Sequence, residues 1–448
     1  MTDVRLKDRV PESVLSLIRE IKRHHYEAFM VGGSVRDLIL KRKNLDWDIA
    51  TSAPPASIMR IFKNSYPTGI RHGTVTVIYK NTKFEITTFR SESDYRDGRH
   101  PESVIFGVSV EEDLSRRDFT INAVAYDPIK DRFVDPYNGV EDIRQGIIRC
   151  VNNAYDRFSE DGLRALRAIR FATVLNYKLH KDILPAIKAT IPIFLKVSIE
   201  RIREEILKMM GADKPSRGVI LMHKSGLLEH IFIELIPTIG FKQNRWHKYD
   251  LFHHSLKTMD YLPQDDPELR LIGLLHDVAK PLCKSGSTDD ATYYGHDTKG
   301  AEIVAETFRR LRFSNKSIER ARLIISNHMI GYNSKWSDAA IRRLIRKMGS
   351  EIDSLILLQK ADVLARGRMV KCTIKMIDEL NERVKKIERE SSAINLNQLE
   401  VDGNDVMKIK NIPPSPEVGK ILKRLMEMVI ERPELNRRDR LLRLIKTL

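Results

Sequence analysis

Hydrophobic positions along the first third of the chain come in short runs bounded by turn residues, and beyond it they settle into a helical period. Pro11 opens an amphipathic stretch over residues 11–24, and the apolar run Ala28-Phe29-Met30-Val31 leads as a strand into Gly32-Gly33. Residues 34–40 read as helix and 47–50 as strand, and Pro54-Pro55 begins a helix that reaches Ile61. Three β-like runs follow at residues 73–79, 84–89 and 103–110, with a polar loop over 91–101 between the last two. From Asp156 onward strand signals fade, and residues 161–175, 199–210 and 338–347 carry the 3.6 period. There is no tandem repeat and no low-complexity tract. The pattern predicts an α+β protein, mixed over residues 1–150 and helical beyond, with the clearest domain boundary near residue 150.

A length of 448 residues is more than one ordinary core needs, which agrees with several domains. The net charge of +16 points to a polyanionic partner, nucleic acid before an anionic membrane surface. No apolar run reaches the ~18 residues of a membrane span, and Met1-Thr2-Asp3-Val4-Arg5-Leu6-Lys7-Asp8 holds no apolar signal core. Cys150, Cys283 and Cys372 lie far apart, which argues against a disulfide framework or a thiolate zinc site. The expectation is a cytoplasmic protein that handles nucleic acid.

The chemistry starts at Val31-Gly32-Gly33-Ser34-Val35-Arg36-Asp37 and Asp46-Trp47-Asp48. A glycine pair between strand and helix lets backbone N–H groups approach phosphates. Asp46 and Asp48 stand two apart on a strand, so both carboxylates face one side and can hold two Mg²⁺ ions for nucleotidyl transfer. A third carboxylate is expected on a neighbouring strand, where Glu85 is best placed. Either feature alone is commonly a turn or a pair of solvated acids; together, with twelve residues between Gly33 and Asp46, they are specific.

On these residues the chain resembles the class II tRNA nucleotidyltransferases, that is, the CCA-adding enzymes and bacterial poly(A) polymerases of the polymerase-β superfamily. Arg116-Arg117-Asp118-Phe119-Thr120-Ile121-Asn122-Ala123 is similar to the family's ribose- and triphosphate-contacting motif, and Glu160-Asp161-Gly162-Leu163-Arg164-Ala165-Leu166-Arg167 to its base-reading helix. The resemblance implies a polymerase-β-like head with Asp46 and Asp48 as metal ligands. It also implies that Gly33, Arg36 and Arg117 lie on the triphosphate and Asp118 and Asn122 on the ribose. Residues 90–101 resemble the family's flexible loop, which helps refit the pocket from C to A.

The base-reading segment can also be argued from its residues. Asp161 and Arg164 are expected on one helix face, with Arg167 and Arg170 continuing the stripe. Cytosine and adenine each present an amino donor beside a ring-nitrogen acceptor, which a carboxylate next to a guanidinium complements; uracil and guanine leave groups unpaired. An ordinary helix ion pair is the bland alternative.

Further along, His254, His276-Asp277, His296, His328 and Asp362 resemble the HD phosphohydrolase signature. Imidazoles and carboxylates without thiolates suit Mg, Mn, Fe or Ni. A lone histidine here would be a core or surface residue, but all six in order imply a helical-core metal site suited to phosphate esters. His247, Asp250 and His253 stand nearby as alternative ligands. Residues 401–448 carry 11 basic and 7 acidic side chains, a mild bias toward phosphate that an amphipathic helix pair explains about as well.

The resulting expectation is an enzyme that adds C and A from CTP and ATP to the tRNA 3′ end, with HD phosphohydrolase activity as a further possibility of the same chain. Its partners would be tRNA, CTP and ATP, with no membrane. Rivals are an A-only enzyme, a poly(A) polymerase, and an HD phosphohydrolase whose head merely binds RNA. Gly69-Ile70-Arg71-His72-Gly73-Thr74-Val75 stands where poly(A) enzymes of the family usually have Gly-Arg-Arg/Lys-Phe, which argues against the second.

Overall fold

The computed structural model describes residues 6–42, 47–93, 103–287, 289–367, 370–391 and 399–448. Asp46 and residues 94–102 of the polar loop lie outside them. The chain divides into two compact units, Met1–Ile233 and Glu234–Leu448. Among the described residues no helix is long and apolar enough to cross a membrane.

The first unit is built on β1 (Ala28–Val31), β2 (Trp47–Thr51), β3 (Ser65–Gly69), β4 (Thr74–Tyr79) and β5 (Thr82–Thr88). A hairpin of β6 (Arg90–Ser93) and β7 (Ser103–Phe106) stands apart, and β8 (Ala125–Asp127) and β9 (Arg132–Val134) complete a seven-stranded sheet in the order β3-β4-β5-β2-β1-β8-β9. Only β2 and β5 run parallel; every other pair in this sheet is antiparallel. β1 is buried on both faces, which is why it reads as an unbroken apolar run. Ala28 and Met30 join a core with Leu17, Ile18 and Ile21 of the helix Glu12–Arg23, whereas Phe29 and Val31 pack with Ala50, Phe89 and Leu114 on the other side. Strand alternation then puts Asp48 on the face shared by Ala50 and Val31, beside the glycine turn.

Two expectations need correction. The run 103–110 is not one strand: it stops at Phe106, Gly107 turns at φ +82°, and Ser109 caps the helix Val110–Ser115 by accepting from the Glu112 N–H. Asp161 and Arg164 do not share a helix. Asp161 is extended between the helices Ala154–Glu160 and Leu163–Val174, and its carboxylate accepts from the Leu163 N–H at 3.0 Å.

The second unit is helical. His254 lies on Leu251–Tyr261, His276 at the end of Pro267–Leu275, His296 at the start of His296–Arg310, His328 at the end of Asn315–Asn327, and Asp362 on Ile352–Arg366. Toward the C-terminus, Val406, Leu425, Val429, Leu441 and Ile445 form a small core of their own.

One close approach in the first unit positions the site. The helix Gly139–Gln145 rests on the turn Thr120–Asn122, and a Cβ on Gly139 would lie 2.1 Å from the Thr120 carbonyl oxygen. That oxygen belongs to backbone and cannot swing away, so Gly139→Ala is expected to lower stability by about 1–3 kcal/mol, the range for overpacking a filled core. Chemical denaturation of the variant checks this, and an unchanged midpoint contradicts the contact.

Candidate functional sites

The first site is a cleft of about 690 Å³ in the unit Met1–Ile233. Gly32 sits at φ +68°, ψ −136°, a conformation that side chains rarely adopt. A Cβ there would stand 3.0 Å from Arg117 Nη1 and 3.6 Å from Asp48 Oδ2. The missing side chain thus leaves room for a guanidinium and a carboxylate close over the turn. Gly33 opens the following helix, whose Arg36 grips Asp37 with Nε and Nη2 at 3.0 and 3.1 Å and donates to Asn122 Oδ1 at 2.8 Å.

Parallel pairing sets Asp48 directly opposite Glu85, so the two carboxylate-bearing positions share a face on neighbouring strands. Glu85 is exposed, pairs with Lys83 at 3.6 Å and is not among the residues lining the cleft. Among the described residues no three metal-ligand atoms converge in this unit, Asp46 lying outside them.

The cleft wall is a chain of ion pairs. Arg167 donates to Asp118 Oδ2 through Nε and Nη2 at 2.9 and 2.7 Å, while Asn122 Nδ2 donates to Asp118 Oδ1 at 3.2 Å. Burial alone would raise the Asp118 carboxyl, but the Arg167 and Arg164 charges and these hydrogen bonds bring it down to about 2. Arg170 donates to Glu205 Oε2 at 2.7 Å and lies 3.6 Å over the Phe171 ring. Asp161 accepts a two-pronged contact from Arg201, at 3.2 and 2.6 Å, instead of pairing with Arg164. Arg164 is held by Glu160 and donates to the Arg116 carbonyl at 3.3 Å. All the head residues singled out from sequence and described here line this one cleft, except Glu85.

Arg201, Glu205 and Lys208 were not foreseen. They recur at i, i+4 and i+7 on the helix Ile199–Met210, a charged stripe of both signs that a solvated face would show equally. Only the fold reveals that Glu205 is 2% exposed.

The second site gathers all six HD residues. His254 Nε2 lies 3.0 Å from Asp362 Oδ1 and 3.5 Å from Asp277 Oδ2, and His276 Nε2 is 3.1 Å from the same Asp277 oxygen. Asp277 Oδ1 faces His296 Nε2 at 3.3 Å and His328 Nε2 at 3.5 Å. One carboxylate therefore joins two groups of buried ligand atoms, one of four residues with His254, His276 and Asp362 and one of three with His296 and His328. The Nδ1 atoms of His276, His296 and His328 point at the carbonyls of Gly273, Tyr293 and Ile325, 2.6 to 2.8 Å away. With Nδ1–H donating outward, each Nε2 turns a lone pair inward, as a metal ligand must. These Nε2 atoms and Asp277 Oδ1 are buried and find no hydrogen-bond partner in the protein. The set fits divalent cations that accept imidazole and carboxylate.

None of the alternative ligands joins the converging groups, although His247 lines the same cleft. Asp250 caps the helix Leu251–Tyr261 and receives the exposed His253, while His247 stands edge-on to His254, its imidazole pushed down to about 3 by burial and then by Lys280 and His254. Two cations that sequence reasoning missed flank the site. Lys280 Nζ is 2.5 Å from Asp277 Oδ2 and Arg366 Nη2 2.5 Å from Asp362 Oδ2, one helical turn after the acid in each case. The cleft at this site measures about 470 Å³.

Two outcomes are expected. Asp277→Asn, which removes the charge common to both ligand groups, should lose most bound divalent metal by elemental analysis while its far-ultraviolet spectrum is retained; full metal content would contradict the shared role. Asp118, near 2 folded and about 3.9 unfolded, contributes roughly 2 kcal/mol that is complete above about pH 5 and disappears as the pH falls through about 2. The stability gap between wild type and Asp118→Asn, measured in urea, should accordingly narrow as the pH is lowered; a constant gap would mean that the carboxylate is not depressed.

Three family models match, in order: "Poly A polymerase head domain" over residues 28–149, "Probable RNA and SrmB- binding site of polymerase A" over 176–238, and "HD domain" over 251–367. The CCA-adding enzyme of Geobacillus kaustophilus (strain HTA426) is 44% identical over 220 residues, 49% of this chain and 54% of the relative. That of Pediococcus pentosaceus is 46% identical over 250 residues, 56% of this chain and 61% of the relative. The matched stretch thus spans about half the length of such relatives. The Bacillus stearothermophilus CCA-adding enzyme in complex with CTP superposes with a TM-score of 0.68 at 27% identity, covering 97% of this chain and 96% of that one. In its domains and their order, the chain matches a poly(A) polymerase head domain, a polymerase A RNA-binding segment and an HD domain.

Proposed function

We propose that the chain adds C and A from CTP and ATP to the 3′ end of tRNA without a nucleic-acid template. The observation that carries this reading is that Asp161 and Arg164 line the same cleft as Asp48, the Gly32 turn and Arg117. Base choice and phosphoryl chemistry then occur in one enclosure, and the base is read by side chains. The relatives named as CCA-adding enzymes, one solved with CTP, support the choice of substrates.

Asp46 and Asp48 would hold divalent metal, Mg²⁺ by the hardness of the ligands, with Glu85 the third carboxylate on the adjoining strand. Two such ions supply charge neutralisation on the triphosphate and activation of the RNA 3′-hydroxyl. Gly33 leaves room for phosphate at the turn, and Arg36 and Arg117 offset its charge. Asp118 and Asn122 receive the ribose, Asp118 remaining ionised because Arg167 holds it. Asp161 accepts from the exocyclic amine of C or A, and Arg164 donates to the ring nitrogen beside it. Arg167 and Arg170 continue that wall. The 3′-oxygen forms its bond to the α-phosphorus as the bond to pyrophosphate breaks. In this reading residues 1–150 act as head, 151–235 as base-reading neck, and the segments 236–370 and 371–448 hold tRNA.

A second activity, phosphohydrolysis at the HD residues, is favoured by the buried, inward-turned imidazoles around Asp277. Mg, Mn or Ni would serve there. Lys280 and Arg366 add positive charge at the mouth where a phosphate enters.

The test offers tRNAs ending before C74, after C74 and after C75, each with single labelled nucleotides. Wild type should add C, C and A in turn. A-only incorporation selects the A-adding alternative, and long A tracts select poly(A) synthesis. Asp48→Ala should lose at least about a thousandfold in rate while still binding tRNA, since its carboxylate serves metal and not RNA. Asp277→Ala should add nucleotides at close to the wild-type rate yet lose any metal-dependent phosphatase activity. Loss of addition in folded Asp277→Ala refutes independent sites.

A further inference from the structure

Asp113 is a residue that nucleotide contacts do not explain. It lies on the helix Val110–Ser115, is 1% exposed, and is absent from the cleft lining. Yet its two oxygens face the cleft's guanidiniums from behind. Oδ2 accepts from Arg117 Nη2 at 3.3 Å, and Oδ1 accepts from Arg116 Nε and Nη2 at 3.0 and 2.7 Å. The same Oδ1 takes the backbone N–H of Arg90 at 3.3 Å, while Arg116 Nε also donates to the Arg90 carbonyl at 3.1 Å. Both backbone groups of the first residue of β6 are thereby tied to this acid and its partner.

Burying a carboxylate is costly, and two adjacent guanidiniums repel each other; had packing been the only need, apolar side chains would have served. One acid between them offsets that repulsion and fixes where each fork points. Burial would raise the Asp113 carboxyl, but Arg117 and Arg116 outweigh it and hold it below the usual range, so it is ionised at neutral pH. For Arg117 the result is specific. Its Nη1 donates to the Asn122 carbonyl at 3.3 Å and its Nη2 to Asp113, and these two contacts set the guanidinium against the Gly32 turn.

We propose that Asp113 is a positioning residue for the triphosphate, holding Arg117 over the Gly32 turn and, with Arg116, anchoring β6 to the phosphate side of the cleft. This rests on the nucleotidyl-transfer reading. Asp113 itself touches no nucleotide; a methylene shift or loss of its charge releases Arg117 to other rotamers and weakens whatever polyphosphate Arg117 binds.

The test uses the full chain and inorganic pyrophosphate as the probe, titrated calorimetrically, beside CTP and ATP incorporation. Asp113→Asn, close in volume but uncharged, should raise the pyrophosphate Kd and the KM for both nucleotides roughly tenfold, the scale of one lost charge-assisted contact. It should leave the tRNA KM and the preference for C and A over U and G unchanged. In an Arg117→Met background the same change should add little, because the guanidinium that the acid sets against the Gly32 turn is gone and only Arg116 remains on it. A folded Asp113→Asn protein with wild-type pyrophosphate affinity overturns the proposal, as does a full tenfold loss in the Arg117→Met background. Should Asp113→Asn not fold, Asp113→Glu carries the test. It keeps the charge but displaces the carboxylate, so a loss confined to the Arg117-containing background supports the role and equal losses in both refute it. Wild-type protein that adds neither C nor A refutes the nucleotidyl-transfer reading instead, and the pyrophosphate titrations, which need no turnover, still decide the role of Asp113.

Discussion

Eight cationic side chains, Arg36, Arg116, Arg117, Arg164, Arg167, Arg170, Arg201 and Lys208, line one cleft of the first unit, and their mutual repulsion is the constraint around which that unit is arranged. The charge suits a polyphosphate ligand, but it also opposes the cleft's own assembly before any ligand arrives. The answer is a set of acids behind the wall: Asp113 under Arg116 and Arg117, Asp118 on Arg167, Asp161 on Arg201, and Glu205 on Arg170 with Arg167 and Lys208 at 3.6 Å. Each acid leaves part of a guanidinium facing the cavity. The acids also come from different elements, so offsetting the charge and fastening the helices Leu163–Val174 and Ile199–Met210 to the turn before Asn122 are one event.

The second unit meets the opposite problem. Four imidazoles and two carboxylates converge in a buried space, where unpaired polar atoms are expensive. Lys280 and Arg366 offset the acid charge, and three backbone carbonyls fix the imidazole orientation. Both sites are thus built from ordinary pairing rules applied where burial makes them strict.

Much of this could be read along the chain. The spacing of Gly32-Gly33 and Asp48 implies a strand, turn and returning strand, and β1 and β2 pair as that requires. Glu85 was chosen as lying on a neighbouring strand, and the register puts it opposite Asp48, although its side chain turns to Lys83. The six HD residues were legible because their types and order are rare together. Pairing across elements was not. Asp161 looked like the partner of Arg164 because they are three apart, but Gly162 packs against the Ile193–Phe194 backbone and Asp161 stays outside the next helix, open to Arg201 some forty positions on. Local spacing cannot choose between a neighbour on the same helix and a guanidinium brought in by tertiary packing. The capped helix at Ser109 was hidden likewise, since Val104, Ile105, Phe106 and Val108 read as strand and only Gly107 and the Ser109–Glu112 box spoke against it.

The carbonyls behind His276, His296 and His328 carry a consequence for selectivity. Because the rings are aimed by main chain, the ligand sphere exists before an ion enters and does not adapt much to whichever ion comes. A rigid mixed nitrogen–oxygen sphere imposes its own geometry on top of the intrinsic ranking of first-row divalent ions. An ion held by these residues would be chosen by fit to that geometry and by supply, so among ions that fit equally a change of supply would remetallate the protein with no change in its sequence.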